Sequence, residues 1–167
     1  MKTIDIETTK TRYTAFMDSR TTLIISTLDE NGAPFISYAP FVKVDGKLYI
    51  YISQISDHYR YVEENAQIHV MMIADESQTP NTFARERARF ACTSENIGND
   101  GYEDIFGEFN LKFGDKMMNM LRGLDFSLFE LTPLHGRYVI GFGQAFDVDL
   151  SGERFDHVVV DKKKDKQ

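Results

Sequence analysis

The sequence predicts a mainly β, α+β domain: six or seven short antiparallel strands forming a split β-barrel with helices packed outside it. Three observations carry this. β-branched and aromatic runs recur along the chain, several with period-two alternation. Tight-turn dipeptides separate them. Helical periodicity is confined to a few stretches.

Each element can be justified in chain order. Residues 5 to 18 place Ile6, Tyr13, Phe16 and Met17 among polar neighbours, an amphipathic helix. Thr22 to Leu28 reads as a buried strand, and Asp29-Glu30-Asn31-Gly32 as a hairpin turn whose last two residues tolerate positive φ. Pro34 to Val44 is a second strand; Pro40 has no amide hydrogen for a ladder, so the strand is an edge or bulged there. Asp45-Gly46 is a hairpin signal leading into the strand Lys47 to Ser53, with Leu48, Ile50 and Ile52 inward.

Ser56 is a candidate N-cap for a short helix reaching about Asn65. Ile68 to Ile73 is a strand, and Asp75 to Thr82 a polar loop. Glu86 to Ser94 is a half-buried strand, with Ala88, Phe90 and Cys92 on its apolar face. Tyr102 to Leu124 repeats apolar residues at three- and four-residue steps and reads as the longest helix, slightly weakened by Gly107 and Gly114. Its methionines, Met117, Met118 and Met120, read as core filling. Phe126 to Leu131 and His135 to Val148 are two further strands, and Phe155 to Val160 a last short one.

The length of 167 residues suits one domain, taken as 1–160, followed by a charged and frayed tail over 161–167 that contains Lys162-Lys163-Lys164. The net charge of -7 argues against a nucleic-acid partner. No apolar run approaches the ~20 residues of a membrane span, and no secretory leader is visible, so a cytoplasmic location is expected. One cysteine, Cys92, excludes an internal disulfide and a Cys-based zinc site. The four histidines, His58, His69, His135 and His157, lack metal-site spacing, and His69 reads as a filler. There is no Rossmann glycine motif, Walker loop or nucleophile elbow. No catalytic residue is identified.

Three places could hold a ligand. Ser56-x-His58-x-Arg60 opens a helix, where free amides and the macrodipole attract anions; equally, Ser56 only caps, and Asp57 already complements the dipole. Arg85, Arg87 and Arg89 would share one strand face about 7 Å apart, suited to carboxylate or phosphate, or simply be a solvent face. Arg137, Val139, Gly141, Gly143 and Ala145 would form a flat small-residue face for a ligand or for close sheet packing.

Four strings taken together carry a resemblance: Asn31-Gly32-x-Pro34-x-x-Ser37-Tyr38-Ala39-Pro40-Phe41, Ser53-x-Ile55-Ser56-x-His58-x-Arg60, Phe83-Ala84-x-x-Arg87, and Gly141-Phe142-Gly143-Gln144-Ala145-Phe146. In this order they resemble the HugZ/HutZ-type haem-utilisation proteins of the pyridoxamine-phosphate-oxidase-like, FMN-binding split-barrel superfamily, over about residues 12 to 160. The resemblance implies a homodimer with two equivalent interface sites for a flat, anionic cofactor, haem or FMN. It implies that Ser53, Ser56, His58 and Arg60 occupy the phosphate-holding region of flavin-binding members. Ser37, Arg87, Gly141 and Gly143 fall within the matching strings. Asp125 looks like the acid that, in some relatives, supports the haem ligand of the neighbouring subunit. Those relatives take the iron ligand from a histidine on the C-terminal tail; 161–167 has none, and His157 is the nearby substitute for haem iron. Three functions remain open: a haem-binding protein of haem-iron utilisation that cleaves haem oxidatively, an FMN-dependent oxidoreductase, or a non-enzymatic carrier.

Overall fold

The computed structural model describes residues 3–159. The chain order is α1 (Ile6–Ser19), β1 (Thr22–Leu28), β2 (Pro34–Val44), β3 (Lys47–Ser53), α2 (Asp57–Glu64), β4 (Gln67–Ile73), β5 (Arg87–Asn96), α3 (Glu103–Phe113), α4 (Asp115–Arg122), β6 (Phe126–Gly141), β7 (Gln144–Val148) and β8 (Phe155–His157). The sheet order is β3-β2-β1-β4-β5-β6-β7-β8, and pairing of β3 with β6 closes the first six into an antiparallel barrel. β7 and β8 extend the sheet beyond it.

Local chemistry explains the tight turns. Asp29 Oδ1 accepts the amides of Asn31 and Ala33, both at 2.9 Å, and Gly32 has φ +75°. Asp45 and Gly46 both take positive φ between β2 and β3, as a two-residue hairpin of matching twist requires.

The barrel interior holds Leu23, Ile25, Phe41, Leu48, Ile50, Ile52, Val70, Met72, Phe90, Phe129, Leu131 and Tyr138, and Tyr13, Phe16 and Met17 of α1 pack into the same cluster. Burial of side chains of this size gives about 1.5–3 kcal/mol each. A second cluster lies outside the wall, where Val42, Tyr49, Tyr51 and Leu128 meet Ile105, Phe106 and Phe109 of α3 and Met118 of α4. Alternation therefore fails on β3 because both of its faces are covered. α1 is also pinned by polar contacts. Arg12 reaches Glu86 with two nitrogens, at 3.1 and 2.9 Å, and the Tyr138 hydroxyl donates to the same carboxylate.

Several expectations are corrected. The long helix is two, broken at Gly114, whose φ of +92° leaves the helical region. Of the three methionines read as core, only Met118 is buried; Met117 and Met120 are exposed. The strands placed at 126–131 and 135–148 divide elsewhere. β6 runs unbroken through Pro133, because a register shift at Ala91/Cys92 accommodates it, and the chain turns at Phe142-Gly143 instead. Gly141 and Gly143 are thus not a flat face but the flanks of a hairpin tip, with Gly143 at φ +66°. Arg85 stands before β5, so it does not share a strand face with Arg87 and Arg89. Ser56 holds the N-cap position of α2 without a side-chain cap; its hydroxyl donates to Ser53 O at 2.6 Å. β8 ends at His157, and the tail 161–167 lies outside the described residues.

Pro40 marks a division of labour. Residues Pro34 to Pro40 pair with β1, whereas Phe41 to Val44 pair with β3. The first part of β2 has no strand partner on the β3 side, and this opening splits the barrel wall.

Candidate functional site

The opening between β2 and β3 is filled by α2. Phe35 of β2 packs edge-on against Tyr61, with ring centroids 4.9 Å apart. Two residues along, the Ser37 hydroxyl lies 3.1 Å from His58 Nδ1. Side chains two apart on a strand share a face, so β2 presents Phe35 and Ser37 together to α2. The His58 ring is held below its ordinary imidazole value by burial, with Asp57 countering part of the effect.

At the rim of this opening, Ser53 at the end of β3 donates to Asp125 Oδ1 at 2.9 Å. Gln54 N donates to Asp125 O at 3.0 Å, which fixes the loop that enters β6. Ser53, Ser56 and Asp125 thus form one polar rim, and Ser37 and His58 form a second pair beside it. Arg60 does not join them. Its guanidinium lies 3.2 Å from Glu30 Oε2 and stacks over Tyr61, so its charge is met outside the cluster. The anion cradle expected from Ser56, His58 and Arg60 as a unit is not assembled, and the His58 ring brings no firm positive charge to it.

The other candidates gather elsewhere. Arg87 starts β5 and pairs in register with Val139; its Nη1 donates to Arg85 O at 2.7 Å. Gly141 ends β6 and Gly143 turns the hairpin. His157 Nε2 lies 2.8 Å from Gly143 O, and its ring packs on Phe146 with centroids 5.3 Å apart. Phe142, at the tip, is 73% exposed.

These two groups occupy opposite ends of the sheet. Asn96, at the far end of β5 from Arg87, bonds Tyr59 and Glu63 of α2, both at 2.9 Å. Nine residue steps along the strand separate Arg87 from Asn96, about 30 Å at the usual rise. One copy of the chain therefore does not join the Ser53–Asp125 group to the Arg87–His157 group.

Sequence reasoning missed two features. The Tyr59 hydroxyl, bonded to Ser127 Oγ at 3.0 Å and to Asn96, ties α2 across the barrel end. Nothing local marks this, because the partners lie 68 and 37 residues away. Phe142 as an exposed aromatic tip was visible in principle, as an apolar residue bracketed by two glycines.

Residues 9–140 match the family described as Pyridoxamine 5'-phosphate oxidase. The chain is 36% identical over 135 residues to a Vibrio cholerae protein named heme oxygenase HutZ, covering 80% of this chain and 77% of that protein. Its fold resembles Campylobacter jejuni ChuZ, with a TM-score of 0.83 and 31% identity over 93% of this chain. It spans 64% of the ChuZ chain. A crystal structure of V. cholerae HutZ, there called a heme storage protein, superposes with a TM-score of 0.69 at 33% identity, covering 78% of this chain and 91% of that one.

Proposed function

The chain belongs to the pyridoxamine 5'-phosphate oxidase family, and from that premise we propose that it is a haem-binding protein of haem-iron utilisation that cleaves haem oxidatively and releases the iron. V. cholerae HutZ, named for haem oxygenation in one description and for haem storage in the other, supports a haem guest over other members' ligands.

The observation that carries the reading is the His157 ring. Its Nε2 faces the Gly143 carbonyl, which can only accept, so Nε2 carries a hydrogen and Nδ1 is the position from which the neutral ring offers its lone pair. A metal-binding imidazole is typically held in this way, its second nitrogen donating to a carbonyl that fixes tautomer and orientation. The donor set therefore fits haem iron. Two exposed aromatics on neighbouring segments, Phe142 and Phe83, offer apolar surface to a planar ring.

The two groups at opposite sheet ends imply a second copy. We take the working unit to be a homodimer in which the Ser53–Asp125 rim of one copy meets the His157 end of the other. The outward side chains of β2, Ile36 and Tyr38, are 72% and 64% exposed and offer it an apolar contact. A twofold axis would generate two equivalent sites. In this arrangement Asp125, whose Oδ1 already receives Ser53, shares with the Gly143 carbonyl the single N–H hydrogen on the partner's imidazole, and the added carboxylate increases that ligand's basicity. Arg87 keeps a positive charge near the guest. Haem brings the redox chemistry and is itself the molecule cleaved; the chain binds, orients and shields it. Among the described residues no helix is long and apolar enough to cross a membrane.

A second reading, an FMN-dependent oxidoreductase, has one observation in its favour. The N-terminus of α2 lacks a side-chain cap, leaving first-turn amides for a phosphate beside Ser53 and Ser56. Absorption from about 350 to about 600 nm separates the readings. Haem binding gives a saturable Soret band on adding haemin, lost in His157→Ala, and ascorbate then bleaches the band as the ring is cleaved. Flavin bands near ~370 and ~450 nm in the isolated protein, with no Soret response, would overturn the haem reading. A bound but unbleached haem would make the protein a carrier.

A further inference from the structure

The outer face of the sheet carries a second, separate concentration of basic groups. Arg89 of β5 stands directly opposite Arg137 of β6. One alternation further along, His69 of β4 and His135 of β6 flank Ala91 from either side. Together with Gly136 and Asp147 these residues line a pocket of about 150 Å³. It shares no side chain with the two half-sites described above.

Like charges directly opposite on neighbouring strands repel and destabilise the pair. Within the chain this is only half relieved. Asp147 lies 2.8 Å from Arg137 Nε, which leaves that guanidinium's terminal nitrogens unengaged. Among the described residues the side chains of Arg89, His69 and His135 make no hydrogen bond or ion pair, and the pocket's one carboxylate is already committed. In a chain of net charge -7, four basic groups converge on one small concavity.

We propose that this pocket binds a phosphate-class dianion, free or as the terminal group of a small molecule. Planar guanidiniums present paired donors that match tetrahedral oxyanions. Two arginines and two imidazoles surround the concavity from more directions than a planar carboxylate's two oxygens point, whereas a phosphate group directs three or four oxygens tetrahedrally. The small side chain of Ala91, on the same face as Arg89, leaves room above the strands for an anion of that size. The proposal holds whatever guest the half-sites take.

Inorganic phosphate titrated into the full-length protein tests it, with sodium chloride matched for ionic strength. Saturable shifts of the His69 and His135 imidazole resonances, assigned with His69→Gln and His135→Gln, are expected. Arg89→Gln and Arg137→Gln should each weaken phosphate about tenfold, the loss of one charge-assisted contact. Without phosphate, Arg89→Gln should unfold at the same denaturant concentration as the unaltered protein or a higher one, since it removes repulsion. Non-saturating shifts would overturn the proposal, as would unchanged affinity in both arginine variants. So would Arg89→Gln being less stable in chloride, which would mean that protein groups of this chain or of a second copy already satisfy the pocket. Acetate binding as tightly as phosphate would overturn the assignment to a dianion.

Discussion

The Ser53 hydroxyl donates to Asp125 Oδ1 at 2.9 Å, joining residues 72 positions apart where β3 ends and β6 begins. If Asp125 does no more than close that loop, Asp125→Asn should cost about 0.5–1.5 kcal/mol, one ordinary hydrogen bond. The proposed dimer site predicts a second effect. Haemin should still bind, while the ascorbate-driven loss of the Soret band slows about tenfold or more, the effect of removing a ligand's supporting carboxylate. Ser53→Ala should reproduce the small stability loss with a weaker kinetic effect. Equal rates in all three proteins would remove Asp125 from the reaction.

His58 predicts a pH dependence. Burial holds its folded ring below the ordinary value of 6.5. The unfolded chain therefore takes up a proton at a pH where the folded protein resists it. His58's share of stability is complete above its unfolded pKa and declines as pH falls through that value toward the folded one. Urea midpoints at about pH 7.5 and about pH 5.5 should differ more in the unaltered protein than in His58→Gln. An equal difference would show that other groups govern the acid limb.

Gly136 lies over the Phe90 ring. A Cβ there would come within 2.3 Å of Phe90 Cε1, far inside contact distance. Phe90 is fully buried, so the ring has little room to retreat. Gly136→Ala should destabilise by about 1–3 kcal/mol, the usual range for overpacking, measured by urea unfolding. The double variant with Phe90→Leu should recover part of the loss.

Cys92 is fully buried on the apolar face of β5, and its thiol is pushed up to about 12 by burial. Native protein should resist a thiol-specific alkylating reagent and become labelled only as it unfolds. Labelling within minutes under native conditions would mean that this part of β5 opens locally.

Much of the fold was legible because turn chemistry is local. Asn31-Gly32 and Asp45-Gly46 stand where the chain reverses, and β2 and β3 have the bounds their composition suggests. What failed depended on tertiary context. Gly107 sits inside α3 while Gly114 ends it, yet both interrupt the same apolar periodicity. Pro133 reads as a strand terminator; the extra residue of β6 beside it, Leu134, opposite the Ala91/Cys92 step of β5, lets the strand pass through it. The site was less legible still. Ser56-x-His58-x-Arg60 looks like a unit, but a carboxylate thirty residues earlier captures the arginine. Asp125 entered only through resemblance, because its partner lies in another strand.

The division of β2 between two neighbours has a consequence for how the protein behaves at high concentration. An unpaired strand border is a template on which a stray extended segment can add and seed fibrous association. Here the bare stretch is bracketed by Pro34 and Pro40, neither of which can donate an amide hydrogen to an incoming strand. The same prolines that give the opening its length also guard it against unwanted β-addition, so their replacement should appear first as turbidity during refolding.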